Sequence, residues 1–455
     1  RLKSPAQMVS DMRRVKQTYG INSFELVHDM FTVDRKRVVA FCEALLECKR
    51  NNPEDEFIWG CSARTDCVDE ELIALMSKAG CRGIFFGIET GSRRMQKIID
   101  KGLELNDSAE RVRSCDKFKI NTAVSLMAGF PDETMDDLRD TAAFFVDSLR
   151  YDHADPQLSI LAPLAGTPIS TQHKDALVLN DDVADMSYRG WRQELEDHAM
   201  IAAHPEVFSS FYAAPLPHLN REFLKELRDL LLNGMRAFRR LLLGLHQDSG
   251  NIVDVFQQWQ QWRTDNGIHF SNGDRTAYYA QPQFPADFVC FVRLHYIPIS
   301  KASLAITALA EYEAALLGGD SGHDQEQVSA GSPNESEDLL SPESRLRLLP
   351  GVKVVKLPAD YQEIVRRLRQ KGPLHDIPEK PVKLAIRRTQ PAEVRQLTPL
   401  SAELLELCAD GYTVQEITGE FLLRNIEIPG VSVDKVCLAG IEILRQQRLL
   451  ALAQT

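Results

Sequence analysis

Five short apolar runs constrain the fold of this chain more than any other feature. Each ends in polar residues, the later ones with glycine as well, and helical spacing alternates with them. They occupy residues 23–27, 57–61, 84–89, 121–128 and 156–161 of the 455. Strand and helix alternating at roughly 25 to 40 residues predict parallel βαβ units. Parallel strands send their carboxyl ends to one rim, where such folds place their chemistry. The central run, Ile84-Phe85-Phe86, ends in Gly87, Glu89, Thr90 and Gly91. It predicts a buried strand with Glu89 at its carboxyl end.

The punctuation agrees with that reading. Ser4-Pro5 suits the start of a first helix that Gly20 stops. Asp34 opens the second helix, and Gly80 closes the helix over 69–78. Ser92 caps a helix over 93–101, which Gly102 ends; further helices are expected near 107–117 and over 135–149. The series begins with a helix, although a right-handed βαβ unit puts a strand before it. One strand and its loop are therefore expected upstream of Arg1.

Composition narrows the function. A net charge of −12 disfavours a non-specific nucleic-acid binder. No apolar run approaches the ~18 residues of a membrane span. Nine scattered cysteines and no secretion signal suit reduced thiols in the cytoplasm. Residues 172–317 read as a helical accessory region. Within it, 191–202 and 222–246 are expected as helices, 288–296 as a strand and 304–317 as a helix. Residues 318–345 have the composition of a disordered linker. Residues 346–455 form a separate small domain, with strands at 352–357 and 382–387, a helix at 359–369 and three further helices. Thr413 and Glu416 are spaced as a capping box.

The strand ends collect His28, Asp29, Ser62, Arg64, Asp66, Glu89, Thr90, Ser125, Asp132 and Glu133. On one rim they would form a mixed-charge pocket in which Arg64 could hold a carboxylate bidentately. Gly87, Gly91 and Gly129 would let a ligand approach the backbone.

The ordered segments HDMFT, CSART, GIFFGIETGS, SLMAGFPDET and LAPLAGTPI resemble the radical S-adenosylmethionine (SAM) superfamily over residues 1–171. The resemblance implies an α/β fold: a partial (β/α)6 radical SAM barrel lacking its first strand, then a helical region and a small winged-helix-like α+β domain. It implies that SAM is held by His28, Asp29, Ser62, Arg64, Glu89, Thr90, Ser125, Gly129 and Asp132, beside a [4Fe–4S] cluster on a CxxxCxxC loop. No CxxxCxxC occurs in this sequence. The cluster loop is expected on the absent first strand, and no metal ligand is assigned within this chain. Relatives of this branch often carry cobalamin, which would favour methyl transfer.

The segment LTPLSAELLELCADGYTVQEI, with VDKVCLAGIEILRQQRLL, resembles the PqqD-type peptide-recognition domain. Together the resemblances imply a radical enzyme that modifies a ribosomal precursor peptide by C-methylation, epimerisation or crosslinking. Its reductant would be a flavodoxin or ferredoxin; no nucleic acid or membrane is involved. A non-catalytic peptide-binding scaffold with a degenerate barrel is the alternative. A barrel aldolase would want a strand-end lysine, and none of the five runs supplies one.

Overall fold

Apolar side chains at every second residue let a strand bury one face, and five segments of the chain do so. They are β1 (Ser23–Leu26), β2 (Ile58–Ala63), β3 (Cys81–Glu89), β4 (Asn121–Ala128) and β5 (Ala154–Ile160). They pair in sequence order and all in parallel. A computed structural model of the chain describes residues 3–27, 30–179, 195–270, 274–317, 340–387, 393–424 and 432–453. It divides into two units, Arg1–Gln281 and Pro282–Thr455.

Helices α1 (Pro5–Tyr19), α2 (Arg35–Asn51), α3 (Glu70–Lys78), α4 (Arg93–Ile98), α5 (Leu105–Lys117) and α6 (Met135–Ser148) alternate with these strands. Ser4, Asp34, Asp69, Ser92 and Thr134 cap α1, α2, α3, α4 and α6 through their side chains. The caps satisfy amide groups that helix geometry leaves unpaired. Crossovers of one hand between sequential parallel strands put the helices on one face of the sheet. Trp59, Cys61, Ile84, Phe86, Ile88, Val124 and Leu126 are buried on that side. The other face carries Ile58, Ser62, Phe85, Ser125 and Gln157; Phe85 stays 41% exposed and Ile58 43%. A parallel sheet normally buries both faces, so this open side is where the first unit can receive a ligand.

Beyond β5 lie α7 (Pro168–Gln172), β6 (Val178–Leu179), α8 (Leu195–Ala203), β7 (Tyr212–Ala213), α9 (Arg221–Ala237), α10 (Arg239–Ser249), α11 (Ile252–Asp265) and α12 (Arg275–Ala280). The single long helix expected over 222–246 is two helices. The chain leaves helical geometry at Phe238, with φ −150°, and its buried ring packs over Gly234, where a Cβ would lie 2.9 Å from it. The break aims Arg239 at the turn before β5. Its guanidinium donates to the carbonyls of Leu149 (3.0 Å), Tyr151 (2.7 Å) and Ala154 (2.8 Å).

The second unit begins with α13 (Gln283–Phe291), which continues through a π-helical turn, Val292–Tyr296. This corrects the strand expected over 288–296. Phe284, Phe288, Phe291, Val292 and Tyr296 are all buried at helical spacing, so β-forming residues follow a helical period here. Then come α14 (Ser303–Leu317), β8 (Leu346–Leu348), β9 (Val352–Leu357), α15 (Tyr361–Gln370), β10 (Val382–Arg387), β11 (Glu393–Gln396), α16 (Pro399–Ala409), α17 (Val414–Leu423), α18 (Val433–Gln446) and β12 (Leu450–Leu452). One antiparallel sheet has the order β11-β10-β9, and β8 pairs with β12. Leu404, Leu405, Ile417, Phe421 and Ile441 form one core. Thr413 and Glu416 form the expected capping box. Of the linker expected over 318–345, residues 318–339 lie outside the described residues.

Arg239 gives a test of this packing. Replacing it by Ala removes three hydrogen bonds from carbonyls at a helix-to-strand turn. Arg239→Ala should cost about 3 kcal/mol of unfolding free energy. Urea denaturation of the two proteins reads the difference directly.

Candidate functional site

The site is built from the end of β3. In the segment Glu89-Thr90-Gly91-Ser92, three residues fix the turn and one faces the open side. Thr90 is fully buried, and its Oγ1 lies 3.1 Å from Thr141 Oγ1 on α6. Gly91 donates its N–H to the same hydroxyl at 3.1 Å. A Cβ on Gly91 would stand 2.4 Å from the Asp140 carbonyl oxygen, so only glycine fits against α6. Ser92 donates to Asp137 Oδ1 at 2.5 Å, and Arg94 Nε sits 3.1 Å from Oδ2. Burial would raise the Asp137 carboxyl, but Arg94, Ser92 and Thr134 hold it well below the usual carboxylate range.

Glu89 is the exception in this turn. Its φ is +70°, in the left-handed region where a non-glycine residue is strained. The β3–β4 register shifts between Gly87 and Glu89. The bend folds the carboxylate back over Gly87, where a Cβ would lie 2.7 Å from Oε1. Lys101 Nζ donates to Oε1 at 3.0 Å, with both side chains about a quarter exposed. Arg64, just past β2, donates Nη2 to the Lys101 carbonyl at 3.1 Å. Arg64 also makes a bidentate pair with Asp66, at 3.0 and 2.7 Å. Asp66 lifts the Arg64 guanidinium, and Arg64 in turn depresses the Asp66 carboxyl. Ser62 stands opposite Phe85, and Ser125 opposite Gly87, in the ladders below.

Of the residues expected at the rim, Arg64 and Glu89 are brought together through Lys101 past β2 and β3, while Ser62 and Ser125 lie within β2 and β4 on the same face of the sheet. Thr90 does not join them, because its hydroxyl is spent on α6. Gly129 gives its N–H to Glu133 Oε2 at 2.5 Å, and a Cβ there would lie 3.2 Å from Leu224 of α9, so the backbone is covered. Asp132 offers only its carbonyl, to Arg94; its side chain is exposed. His28 and Asp29 lie outside the described residues. Lys101 is the site residue that the sequence reading missed. It sits beyond α4, remote from any strand run, and its twelve-residue offset from Glu89 carries no signal before the turn is folded.

Cys67, past β2, donates to Asp66 at 3.6 Å beside the rim, and four buried thiols of the first unit lie away from it. Cys42, Cys61, Cys81 and Cys115 are all fully buried. Burial pushes Cys42 and Cys115 up to about 12. It raises Cys81 as well, helped by neighbouring Cys61. Protonated core thiols are poor metal ligands. Among the described residues no three His, Cys, Asp or Glu side chains could hold a metal ion. The residues present therefore do not fit a [4Fe–4S] cluster, which needs thiolates on one loop.

Glu133 is 1% exposed, and its Oε1 has no hydrogen-bond partner among the described residues. Burial pushes its carboxyl up to about 7, against the lowering effect of the Gly129 and Phe130 amides.

Residues 1–145 match the Radical SAM superfamily model, so the first unit contains a Radical SAM superfamily domain. An uncharacterized methyltransferase of Pyrococcus horikoshii is 30% identical over 164 residues, 36% of this chain and 34% of that protein. An anaerobic magnesium-protoporphyrin IX monomethyl ester cyclase of Cereibacter sphaeroides is 27% identical over 143 residues, 31% of this chain and 23% of that protein. The chain thus spans about a third or less of these relatives. Among solved structures, the radical S-adenosylmethionine methyltransferase TsrM of Kitasatospora setae, with cobalamin and a [4Fe–4S] cluster bound, aligns with TM-score 0.32. Its identity is 21%, over 35% of this chain and 31% of that one.

Two predictions test this geometry. Gly91→Ala should destabilise by about 2–4 kcal/mol, because its Cβ meets backbone. Glu89→Gly should be as stable as the parent or more so, since it releases the left-handed strain; chemical denaturation of both variants checks the pair. Glu133 is raised from 4.5 to about 7 on folding, so the folded state binds its proton more tightly. Its stabilising contribution is complete below about 4.5 and disappears as pH rises through 7. Glu133→Gln should flatten that part of the stability–pH curve, where the parent loses a few kcal/mol. Denaturation midpoints at pH 5, 6, 7 and 8 measure it.

Proposed function

We propose that the open rim of the first unit binds the amino-acid end of SAM, within an enzyme that transfers a methyl group to a peptide. One observation carries the reading. Inside a Radical SAM domain, a strained glutamate and a lysine form an ion pair at the end of the central strand, beside Arg64. SAM presents an ammonium, a carboxylate and a sulfonium. Glu89 supplies the anion for its positive groups. Lys101 supplies a cation for the carboxylate, with Arg64 next to it. Ser62 and Ser125 leave room and hydroxyls along the sheet for the nucleoside. The partly exposed ring of Phe85 offers an apolar surface beside these hydroxyls, and the helices behind the sheet exclude water from below. Within the family the radical chemistry comes from a [4Fe–4S] cluster, for which this chain's residues give no ligand set. Their task at the rim is to bind and orient SAM.

Methyl transfer is favoured over epimerisation or crosslinking by the name of the Pyrococcus relative. The peptide is assigned to the second unit. Strand β11 ends its sheet, and the Leu397 N–H bonds the Lys383 carbonyl just beyond it at 2.9 Å. Antiparallel alternation then turns the polar backbone groups of Val394 and Gln396 outward, an edge to which an extended peptide can add. A flavodoxin or ferredoxin would supply electrons to the complete system. The competing reading is a non-catalytic peptide-binding scaffold with a degenerate barrel.

Calorimetric titration of SAM separates the two. Saturable binding is expected, weakened on the order of tenfold by Glu89→Gln and by Lys101→Met, and less by Arg64→Ala. Absence of SAM binding to the parent chain would leave the scaffold reading standing. Removing residues 346–455 should abolish binding of peptides selected on the intact chain, yet spare SAM binding.

A further inference from the structure

Gln96, on α4, is 2% exposed, and its polar groups reach both sides of the site. Its Nε2 donates to the carbonyl of Ile88 at 2.7 Å and to that of Thr90 at 2.9 Å. These are the two carbonyls flanking Glu89. Its Oε1 accepts the Leu103 N–H at 3.2 Å. Its backbone carbonyl accepts the N–H of Lys101 at 3.0 Å and of Gly102 at 3.2 Å. The register shift before Glu89 takes the flanking carbonyls out of the ladder to β4. Buried carbonyls need donors; the Ile88 carbonyl also accepts the Thr90 N–H at 2.9 Å across Glu89, and the Gln96 carboxamide adds a second donor there and one to Thr90.

We infer that Gln96 is the positioning residue of this site. Its carboxamide holds Glu89 in the left-handed conformation, and its backbone carbonyl sets where the Lys101 ammonium reaches. Anion and cation are thereby placed together for the zwitterionic α-amino-acid end of a ligand. The ligand part rests on the SAM reading above; the geometric part does not. The carboxamide is required because one planar NH2 group must serve two carbonyls while the oxygen faces away toward Leu103. Methionine has the length without the donors. Glutamate keeps the acceptor for Leu103 but turns an anion on the two carbonyls. Without the carboxamide, the Thr90 carbonyl loses its Gln96 donor and the Ile88 carbonyl keeps only the Thr90 N–H, so the peptide planes around Glu89 rotate to find new partners. Glu89 then relaxes toward extended φ and draws away from Lys101.

The test uses the full chain, as parent, Gln96→Met and Gln96→Glu. Crystal structures read φ at position 89 and the Glu89–Lys101 distance. Calorimetry with SAM reads affinity per folded molecule, a quantity that a purely structural role would leave unmoved. The expected result is Glu89 out of the left-handed region, the pair open, and SAM affinity lower on the order of tenfold to a hundredfold. If Gln96→Met does not fold, Gln96→Glu carries the same readouts. A variant with Glu89 still near +70° and the pair intact overturns the inference, as does a displaced pair with unchanged affinity. A parent chain that binds no SAM overturns the SAM reading, and with it the ligand part; the structures judge the geometric part separately.

Discussion

The rim depends on one backbone bend, at Glu89. A glutamate in the left-handed region costs on the order of 1–2 kcal/mol, so its surroundings must hold it there. They do so from two sides. Thr90 and Gly91 lock the following turn onto α6 through Thr141. Ser92 and Arg94 then tie α4 to the first turn of the same helix through Asp137. The residues after β3 and those after β4 therefore move as one body. Removing that link would free the bend that puts the carboxylate over Gly87.

One-sided cover of the sheet is the second constraint. Helices α2, α3, α5 and α6 take the apolar residues of each strand, and the opposite residues remain small or half-exposed. This face combines small residues, Ser62, Gly87, Ala123 and Ser125, with the partly exposed apolar side chains of Phe85 and Ile58, apolar surface that a ligand could cover. Fold and site follow from the same alternation: what is withheld from the core on one side becomes the floor of the site on the other.

Local rules carried the first unit well. Strand runs, cap residues and stop glycines are short-range signals, and the five parallel strands could be read from them. Reading failed where tertiary packing decided. Phe238 has the spacing of a continuing helix, and only its fit over Gly234 breaks the chain there. Residues 288–296 are rich in β-formers, yet each buried side chain follows a helical period. At the rim, Glu89 was legible from its place at a strand end. Thr90 and Gly129 have the same local signature, but the structure turns them to packing. Nothing in the sequence distinguishes a polar residue that faces a ligand from one that faces a neighbouring helix. Lys101 and Gln96 were illegible for a related reason: their contacts arise only once the turn after Glu89 has closed.

The two cations of the rim also differ in availability. Arg64 seemed the natural partner for a carboxylate, but Asp66 already satisfies it in bidentate fashion at two residues' distance. An incoming carboxylate would have to displace a local partner of the same kind, with little net gain in Coulomb energy at a half-exposed site. Lys101 makes one side-chain hydrogen bond among the described residues, at 3.0 Å, and an ammonium has three donors. It can keep Glu89 and still accept a second anion. A ligand whose own ammonium approaches Glu89 would share that carboxylate with Lys101 while its carboxylate meets the free donors. Charge balance is then preserved on binding without breaking either resident pair. In the proposed reading, the Glu89–Lys101 pair is then the centre of recognition, and Arg64, through the Lys101 carbonyl, braces it.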